Sequence, residues 1–346
     1  MLFSICIPQY DRTSFLLRAL ESIREQTFND FEICISDGGS TDGRAHELIA
    51  WLNRSKLNFQ YQLQERRARY DQNLRGAIAL AKGRYCLLLG NDDMFANAKT
   101  LEMLAGVLAA NQYPEIAVTN YHSLSLRRDF LRVPRTTIVG SGAIIAAKTF
   151  RRYSFVSAVL LDRARSQEFA TDKWDGSEMY QMFLATRIVA AGGRLLDVAQ
   201  IAILKDIQIP GEVVDSYARK PKLQDCRIEE RLLPLSQLGR VVFDALLPYI
   251  KPEASDRFVR LIFAQLILIT YPPWLLEYRR IQSWRYAVGI GLGMRPKNLL
   301  AGIRVGRLTK WFLRSIYGFV TVIGLLCPIG LFEKLRPWLY AFAKRK

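Results

Sequence analysis

Two adjacent carboxylates, Asp92 and Asp93, end a short apolar run in the segment RYCLLLGNDDM, residues 84–94. Side by side they repel each other unless a cation, or hydrogen bonds from a ligand, offset their charge. The same pair could instead cap the helix that begins near Asn97, because Asn and Asp are frequent in strand-to-helix turns. A second polar loop, DGGSTDG at 37–43, offers the carboxylates of Asp37 and Asp42 and, around Gly39, backbone N–H groups suited to phosphate. Acids in such positions suit ribose hydroxyls, a base N–H, or a divalent ion holding a diphosphate. The third polar turn is Pro8-Gln9-Tyr10-Asp11.

Each of these groups follows an apolar run. LFSICI (2–7), FEICIS (31–36) and YCLLL (85–89) read as strands buried on both faces, the kind found inside a parallel sheet. Further strands are expected near 58–63, 115–119 and 195–204. Apolar residues at helical spacing predict helices over about 13–26, 71–81 and 99–110, and another after the 37–43 loop. This alternation implies an α/β fold built on a mostly parallel, Rossmann-like sheet flanked by helices. The carboxyl ends of parallel strands share one edge, so Pro8–Asp11, Asp37–Asp42 and Asn91–Asp93 should line one crevice. Neither GxGxxG after the first strand nor GxxxxGK[ST] occurs, which excludes a dinucleotide fingerprint and a P-loop.

The motifs SICIPQYD (4–11), QTF with Phe31-Glu32, DGGSTDG (37–43), AKGRY (81–85) and NDD (91–93) occur in this order. Together they resemble the inverting nucleotide-sugar glycosyltransferases of family 2, which have the GT-A fold, over about residues 1–200. The resemblance implies that Pro8, Gln9, Tyr10 and Asp37 contact the nucleobase and that Asp92 approaches the ribose. It implies that Asp93 holds Mg²⁺ or Mn²⁺ on the donor diphosphate. Gly38 stands where many relatives have Asp, and Gly90 where a leading Asp often lies. Inverting displacement also needs a base opposite the leaving group, from a later part of the domain. In DKWDGSEMYQ (172–181), Glu178 resembles that base, at the start of a helix carrying Met182, Phe183, Ala185, Ile188 and Val189 inward; Asp175 is the second candidate, or an N-cap. The resemblance makes the partners a nucleotide-sugar donor and a polyprenyl-diphosphate-linked or other glycan acceptor in bacterial surface polysaccharide (O-antigen or capsule) biosynthesis.

His46 and His122 share no metal-ligand spacing and read as surface or satisfied residues. Arg66, Arg67 and Arg69 suit either phosphate or solvent, and Trp174 either a sugar or packing. The five cysteines show no CxxC spacing, which fits a reducing compartment. Met1 runs straight into LFSICIP, without the basic start of a signal peptide.

The 346-residue chain carries a net charge of +17. Residues 279–346 hold 14 Lys and Arg against one acid, Glu333, and so supply +13 of it. The same segment contains 315–332, 18 residues without a charge. Cationic and apolar together point to an anionic membrane surface before nucleic acid. The expected organisation is a catalytic domain at 1–210, with its donor half at about 1–120 and its acceptor half at about 121–210. A helical extension follows at 211–278, then a basic, membrane-associating region at 279–346. The segment 315–332 is expected to lie in or dip into the cytoplasmic leaflet, with a single span as the alternative. Leu261–Leu276, interrupted by Pro272-Pro273, reads as a core or interfacial helix. A non-catalytic, membrane-bound scaffold with the same fold is the other functional reading.

Overall fold

A computed structural model describes residues 1–64, 67–212, 233–281 and 284–344. Ten strands form one sheet: β1 (Phe3–Gln9), β2 (Phe31–Asp37), β3 (Phe59–Leu63), β4 (Tyr85–Leu88), β5 (Met94–Phe95), β6 (Ile116–Ser123), β7 (Arg128–Phe130), β8 (Thr137–Gly140), β9 (Val159–Asp162) and β10 (Leu195–Lys205). Their order is β3-β2-β1-β4-β9-β6-β10-β5, with β7 paired to β6 and β8 to β10. The β3-β2-β1-β4 half is wholly parallel, as expected. β9 then inserts antiparallel between β4 and β6, and β10 runs parallel to β6. The four-residue run VLLD that makes β9 has neither alternation nor turn signals to announce it.

Seven helices accompany the sheet: α1 (Thr13–Arg24), α2 (Ala45–Ser55), α3 (Tyr70–Leu80), α4 (Thr100–Ala110), α5 (Ala143–Thr149), α6 (Arg163–Glu168) and α7 (Tyr180–Ala190). Side chains in a strand point alternately to opposite faces. Phe3, Ile5 and Ile7 of β1, with Tyr85 and Leu87 of β4, therefore pack on the α1, α2 and α4 face. Cys6, Cys86 and Leu88 face the core that contains α3, α5 and α7. Burial on both faces is why these strands are continuously apolar.

That second core continues into the C-terminal helices. Leu238, Val242, Phe258, Ile262, Phe263, Ile267 and Tyr271 belong to it, so these later helices pack onto the layer of α3, α5 and α7. The first part of the expected extension, residues 213–232, lies outside the described residues. Pro272 and Pro273 do not break the chain as expected; they lie in the first turn of the helix Tyr271–Ile281. A π-helical turn at Leu266–Thr270 precedes them. The helix runs on through the prolines without a break: their rings would crowd the carbonyls of the preceding turn, and the wider π-turn gives them room.

Candidate active site

The carboxyl ends of β1, β2 and β4 meet as the parallel register requires, and hydrogen bonds join their loops. Gln9, fully buried, is the hub. Its carbonyl accepts from Gly38 N at 2.9 Å and from Asn73 Nδ2 at 3.1 Å, and its Oε1 accepts from Asn91 Nδ2 at 2.8 Å. Asp11 reaches the 37–43 loop: its N–H donates to Ser40 Oγ at 2.8 Å, and its Oδ1 accepts from Thr41 N at 2.6 Å. Asp42 accepts from Thr13 N at 2.9 Å and so satisfies an N-terminal donor of α1 from across the crevice.

Asp37 is buried, and its carboxylate shapes its own loop. Oδ1 accepts from Ser40 N at 2.8 Å and Ser40 Oγ at 2.7 Å, and Oδ2 accepts from Tyr61 OH at 2.9 Å. Gly38 leaves no room for a side chain. A Cβ there would sit 2.3 Å from Asn73 Nδ2 and 2.8 Å from the Ala68 carbonyl. Gly39 follows at φ +82°, a left-handed conformation that glycine adopts freely. At the rim the Arg67 guanidinium lies 5.0 Å from the centroid of the Tyr10 ring, a cation–π pair beside the loop.

The acidic pair divides in a way that the sequence does not reveal. Asp93 points inward and is 3% exposed. Its Oδ2 accepts the Ser157 hydroxyl, which itself receives Gly90 N at 2.8 Å, and its Oδ1 accepts Asp206 N at 3.2 Å. Burial, and then the neighbouring Asp92 charge, push the Asp93 carboxyl well above the ordinary carboxylate range. The side chain of Asp92 is 22% exposed, and Arg12 donates to its Oδ2 at 2.6 Å. The residue expected to hold the metal is thus the buried one, and the residue expected at the ribose is the accessible one. Gly90 also has a local reason: a Cβ there would be 3.0–3.3 Å from the oxygens of Asp93, Asp92 and Ser157.

Among the described residues, no three His, Cys, Asp or Glu side chains converge on a point where a metal ion could sit. One accessible carboxylate at a strand end still fits Mg²⁺ or Mn²⁺. Such hard ions take few protein ligands and complete their shell with water and diphosphate oxygens. The thiols of Cys6, Cys34 and Cys86 are buried in the sheet.

The 175–179 loop is held by α3. Asp71, fully buried, accepts three backbone N–H groups: Gly176 at 2.8 Å, Glu178 at 2.8 Å and Tyr180 at 3.0 Å. Burial raises the pKa of Asp71 even against those three donors. Arg75, one turn further on, forms a two-pronged ion pair with Asp175, and its Nη2–Oδ2 contact is 2.9 Å. That pairing commits the Asp175 carboxylate to Arg75, and Asp175 is not the N-cap, since Met179 holds that position. Glu178 also differs from expectation, because the helix starts at Tyr180. Glu178 lies in the preceding loop, half-buried, with φ +60°. Gly176 has φ +88° under the Arg69 guanidinium, where a Cβ would approach Nη1 to 2.8 Å.

Asn73 and Asp71 make α3 the link between the two loop sets: Asn73 touches Gln9 while Asp71 holds the Glu178 loop. Trp174 is packing rather than a free platform. It lies against the core and donates from Nε1 to Asp244 Oδ2 at 2.9 Å, and Lys173 reaches Asp244 Oδ1 at 2.6 Å. His122 pairs with Asp129 at 2.7 Å, a satisfied surface role, and Arg66 lies outside the described residues. Arg12, Asp71, Asn73, Arg75 and Ser157 are the site residues that sequence reasoning missed. Only the cluster Tyr70-Asp71-Gln72-Asn73 was a polar signal, and it opens the helix expected at about 71–81.

Residues 4–154 match the family described as "Glycosyl transferase family 2". A stretch of 98 residues is 41% identical to the abequosyltransferase RfbV of Salmonella typhimurium, covering 28% of this chain and 29% of that protein. The matched stretches span less than two thirds of the length of the first curated relatives. The structure of S. aureus TarS 1–349 in complex with UDP-GlcNAc overlays with a TM-score of 0.56 at 16% identity, covering 99% of this chain and 88% of that one. A mannosyltransferase from Pyrobaculum calidifontis, in complex with GDP-Man and Mn²⁺, overlays with a TM-score of 0.51 at 15% identity, over 94% and 87% of the two chains. This chain shares the GT-A fold of these neighbours, and its residues 4–154 are similar to glycosyl transferase family 2.

Proposed function

We propose that this glycosyltransferase moves a sugar from a nucleoside diphosphate to an acceptor hydroxyl by a single displacement with inversion. The observation that carries the reading is the junction built by α3, which ties the strand-end loops of Asp37 and Asp92 to the loop of Glu178. Bases and nucleophiles must be held near their reacting atoms, and one rigid helix shared by both sides supplies that geometry.

Tyr10, Asp37 and Gly39 form the nucleoside end of the crevice. We assign Asp92 rather than Asp93 to the metal, because Asp93 is enclosed by Ser157 and the backbone of Asp206. Bound there, Mg²⁺ or Mn²⁺ would neutralise charge that develops on the departing diphosphate. Arg12 holds the Asp92 carboxylate, and Asp93 and Ser157 hold the turn that carries it. Glu178 takes the proton of the acceptor hydroxyl as the oxygen attacks, on the face opposite the leaving group. The relation to an abequosyltransferase and the basic C-terminal region support a lipid-linked acceptor, of the polyprenyl-diphosphate type, in bacterial surface polysaccharide synthesis. They equally support work at the cytoplasmic face of the membrane.

A screen of nucleotide sugars for Mn²⁺- or Mg²⁺-dependent binding, followed by transfer to a lipid-linked acceptor, tests this reading. NMR of the product should show the anomeric configuration opposite to the donor's. A retained configuration would rule out Glu178 as the base of a single displacement.

A further inference from the structure

The C-terminal helices expose apolar side chains on a face that none of the described residues covers. On the helix Arg307–Leu326, Thr309, Leu313 and Gly324 turn inward. Gly324 lies so close to Leu275 that a Cβ would meet its Cδ2 at 2.4 Å, and Tyr317 OH donates to the Gly291 carbonyl at 2.5 Å. The opposite face carries Leu308 (80% exposed), Trp311 (70%), Phe319 (66%) and Leu326 (69%), with Val322 and Ile323 also exposed. The positions 308, 311, 315, 319, 322 and 326 recur at intervals of three and four, so they form a single stripe.

The chain then turns. Arg307–Leu326 and Ile329–Leu335 are bent by 107° at Cys327-Pro328. The bend is built into the fold: Arg279 Nη1 donates to the Gly324 carbonyl at 3.1 Å and also to the Cys327 carbonyl. These donors satisfy helix-end carbonyls that would otherwise lack partners. Beyond the bend, Ile329, Leu331 and Leu335 are exposed as well. Charge brackets this apolar corner. Arg307, Lys310 and Arg314 flank its first helix; near its other end Lys334 stands beside Glu333, whose charge Arg280 meets at 3.5 Å, and Arg307, Lys310, Arg314 and Lys334 are all exposed.

We propose that this bent pair is a wedge that seats the protein on an anionic bilayer, entering and leaving through the same leaflet. The proposal deepens the membrane part of the function above and rests on it. From Arg314 to Leu326 the helix rises about 18 Å, at about 1.5 Å per residue. Half of a hydrocarbon core of about 30 Å is about 15 Å, so the corner matches one leaflet in depth. A span would need about 20 apolar residues continuing in one direction, and here the direction changes by 107°. Bracketing cations at headgroup level select anionic lipid. Exposed Trp274, Trp284, Trp311 and Trp338 add the side chain favoured at a membrane–water boundary. The helices before the wedge reach the chain just ahead of the Glu178 loop, where Lys173 and Trp174 donate to Asp244.

Flotation of the full chain with phosphatidylcholine vesicles, with and without about one third phosphatidylglycerol, tests the wedge. The wild-type protein should float with the anionic vesicles and far less with the neutral ones. Phe319→Glu with Leu326→Glu should weaken partitioning by at least about tenfold, with circular dichroism unchanged. Arg307→Ser, Lys310→Ser and Arg314→Ser together should erase the preference for anionic lipid. A Leu326→Trp variant should be quenched by lipids brominated deep in the acyl chain. Failure of the wild type to float, or flotation of the double Glu variant like wild type, overturns the proposal. So does a lipid-free dimer that the double Glu variant converts to monomer, since a second copy would then cover the stripe. Transfer to a soluble acceptor by protein that does not float would sink the wedge alone. Flotation without transfer from any donor would sink the assigned reaction alone.

Discussion

The donor loops and the Glu178 loop solve one problem, holding polar groups at a fixed place, by different means. On the donor side the strands do most of the positioning. Asp37 and Asp93 lie at or just beyond strand ends and spend their carboxylates inside the protein, on Ser40, Tyr61, Ser157 and the backbone of Asp206. The Glu178 loop has no strand before it. Two left-handed residues, Gly176 and Glu178, turn the chain, and two side chains of one helix, Asp71 and Arg75, hold it. Positioning by a sheet spreads over many hydrogen bonds, whereas positioning by α3 concentrates in two residues. Damage should therefore be graded on the donor side and abrupt at the Glu178 loop.

The sharpest break in that comparison is Glu178→Gln. Loss of a general base lowers kcat by about 10²–10⁴-fold. Donor binding, measured by titration calorimetry, should be unchanged, because the strand ends are untouched. Asp175→Asn should instead act through Arg75, lowering stability by about 1–3 kcal/mol in denaturant titrations, with a smaller loss of kcat. If Asp175→Asn gave the catalytic lesion with full stability, the assignment of the base would fail.

On the donor side the acidic pair should separate. Asp92→Asn should cost about 10²-fold or more in kcat/KM and remove the effect of Mn²⁺ on nucleoside diphosphate binding. Asp93→Ala should leave the Ser157 hydroxyl and Asp206 N without their partner and act first on stability, by about 1–3 kcal/mol. A Mn²⁺ effect that survives Asp92→Asn and vanishes in a folded Asp93→Asn would return the metal to Asp93.

The sequence makes the parallel strands β1, β2 and β4 and the three strand-end loops legible because their signal is local. Continuous apolar runs mark doubly buried strands, and the polar turn after each belongs to the same stretch of chain. The division of labour between Asp92 and Asp93 is not local. It depends on Ser157 and Asp206, 64 and 113 residues away from Asp93 along the chain. Asp71 is unreadable for a similar reason. An acid in the first turn of a helix resembles a dipole partner until the 176–180 backbone is seen folded onto it. Pro272-Pro273 misleads differently, since a proline pair suggests a break unless the preceding π-turn is known.

Asp71→Asn tests how much of the Glu178 geometry rests on α3. An amide offers one acceptor oxygen where the carboxylate offers two, so at least one of the N–H groups of Gly176, Glu178 and Tyr180 loses its partner. A drop of about tenfold in kcat with an unchanged donor KM is expected, because a loop shifted by a fraction of an ångström misplaces the base without touching the nucleotide. An equal fall in donor affinity would mean that α3 supports both loop sets to the same degree, and the contrast between them would dissolve.

The smallest effect on turnover should come from Asp197, on β10, where Arg152 Nη1 reaches both carboxylate oxygens at 2.6 and 2.7 Å. Burial lifts the pKa of Asp197 to about 6, against the pull of Arg152. An unfolded aspartate titrates near 3.9, so the folded protein binds this proton more tightly than the unfolded chain does. Its contribution to stability is complete below about pH 4 and is lost as the pH rises through about 6. The difference of about two pKa units corresponds to at most about 3 kcal/mol. Denaturant titrations of wild type and Asp197→Asn between pH 4 and 7 should differ in slope, the wild type losing relative stability as the pH rises, while kcat at neutral pH stays the same. If turnover followed this titration, the β10 pair would belong with the residues that position the site, and positioning would not be confined to strand-end loops and α3.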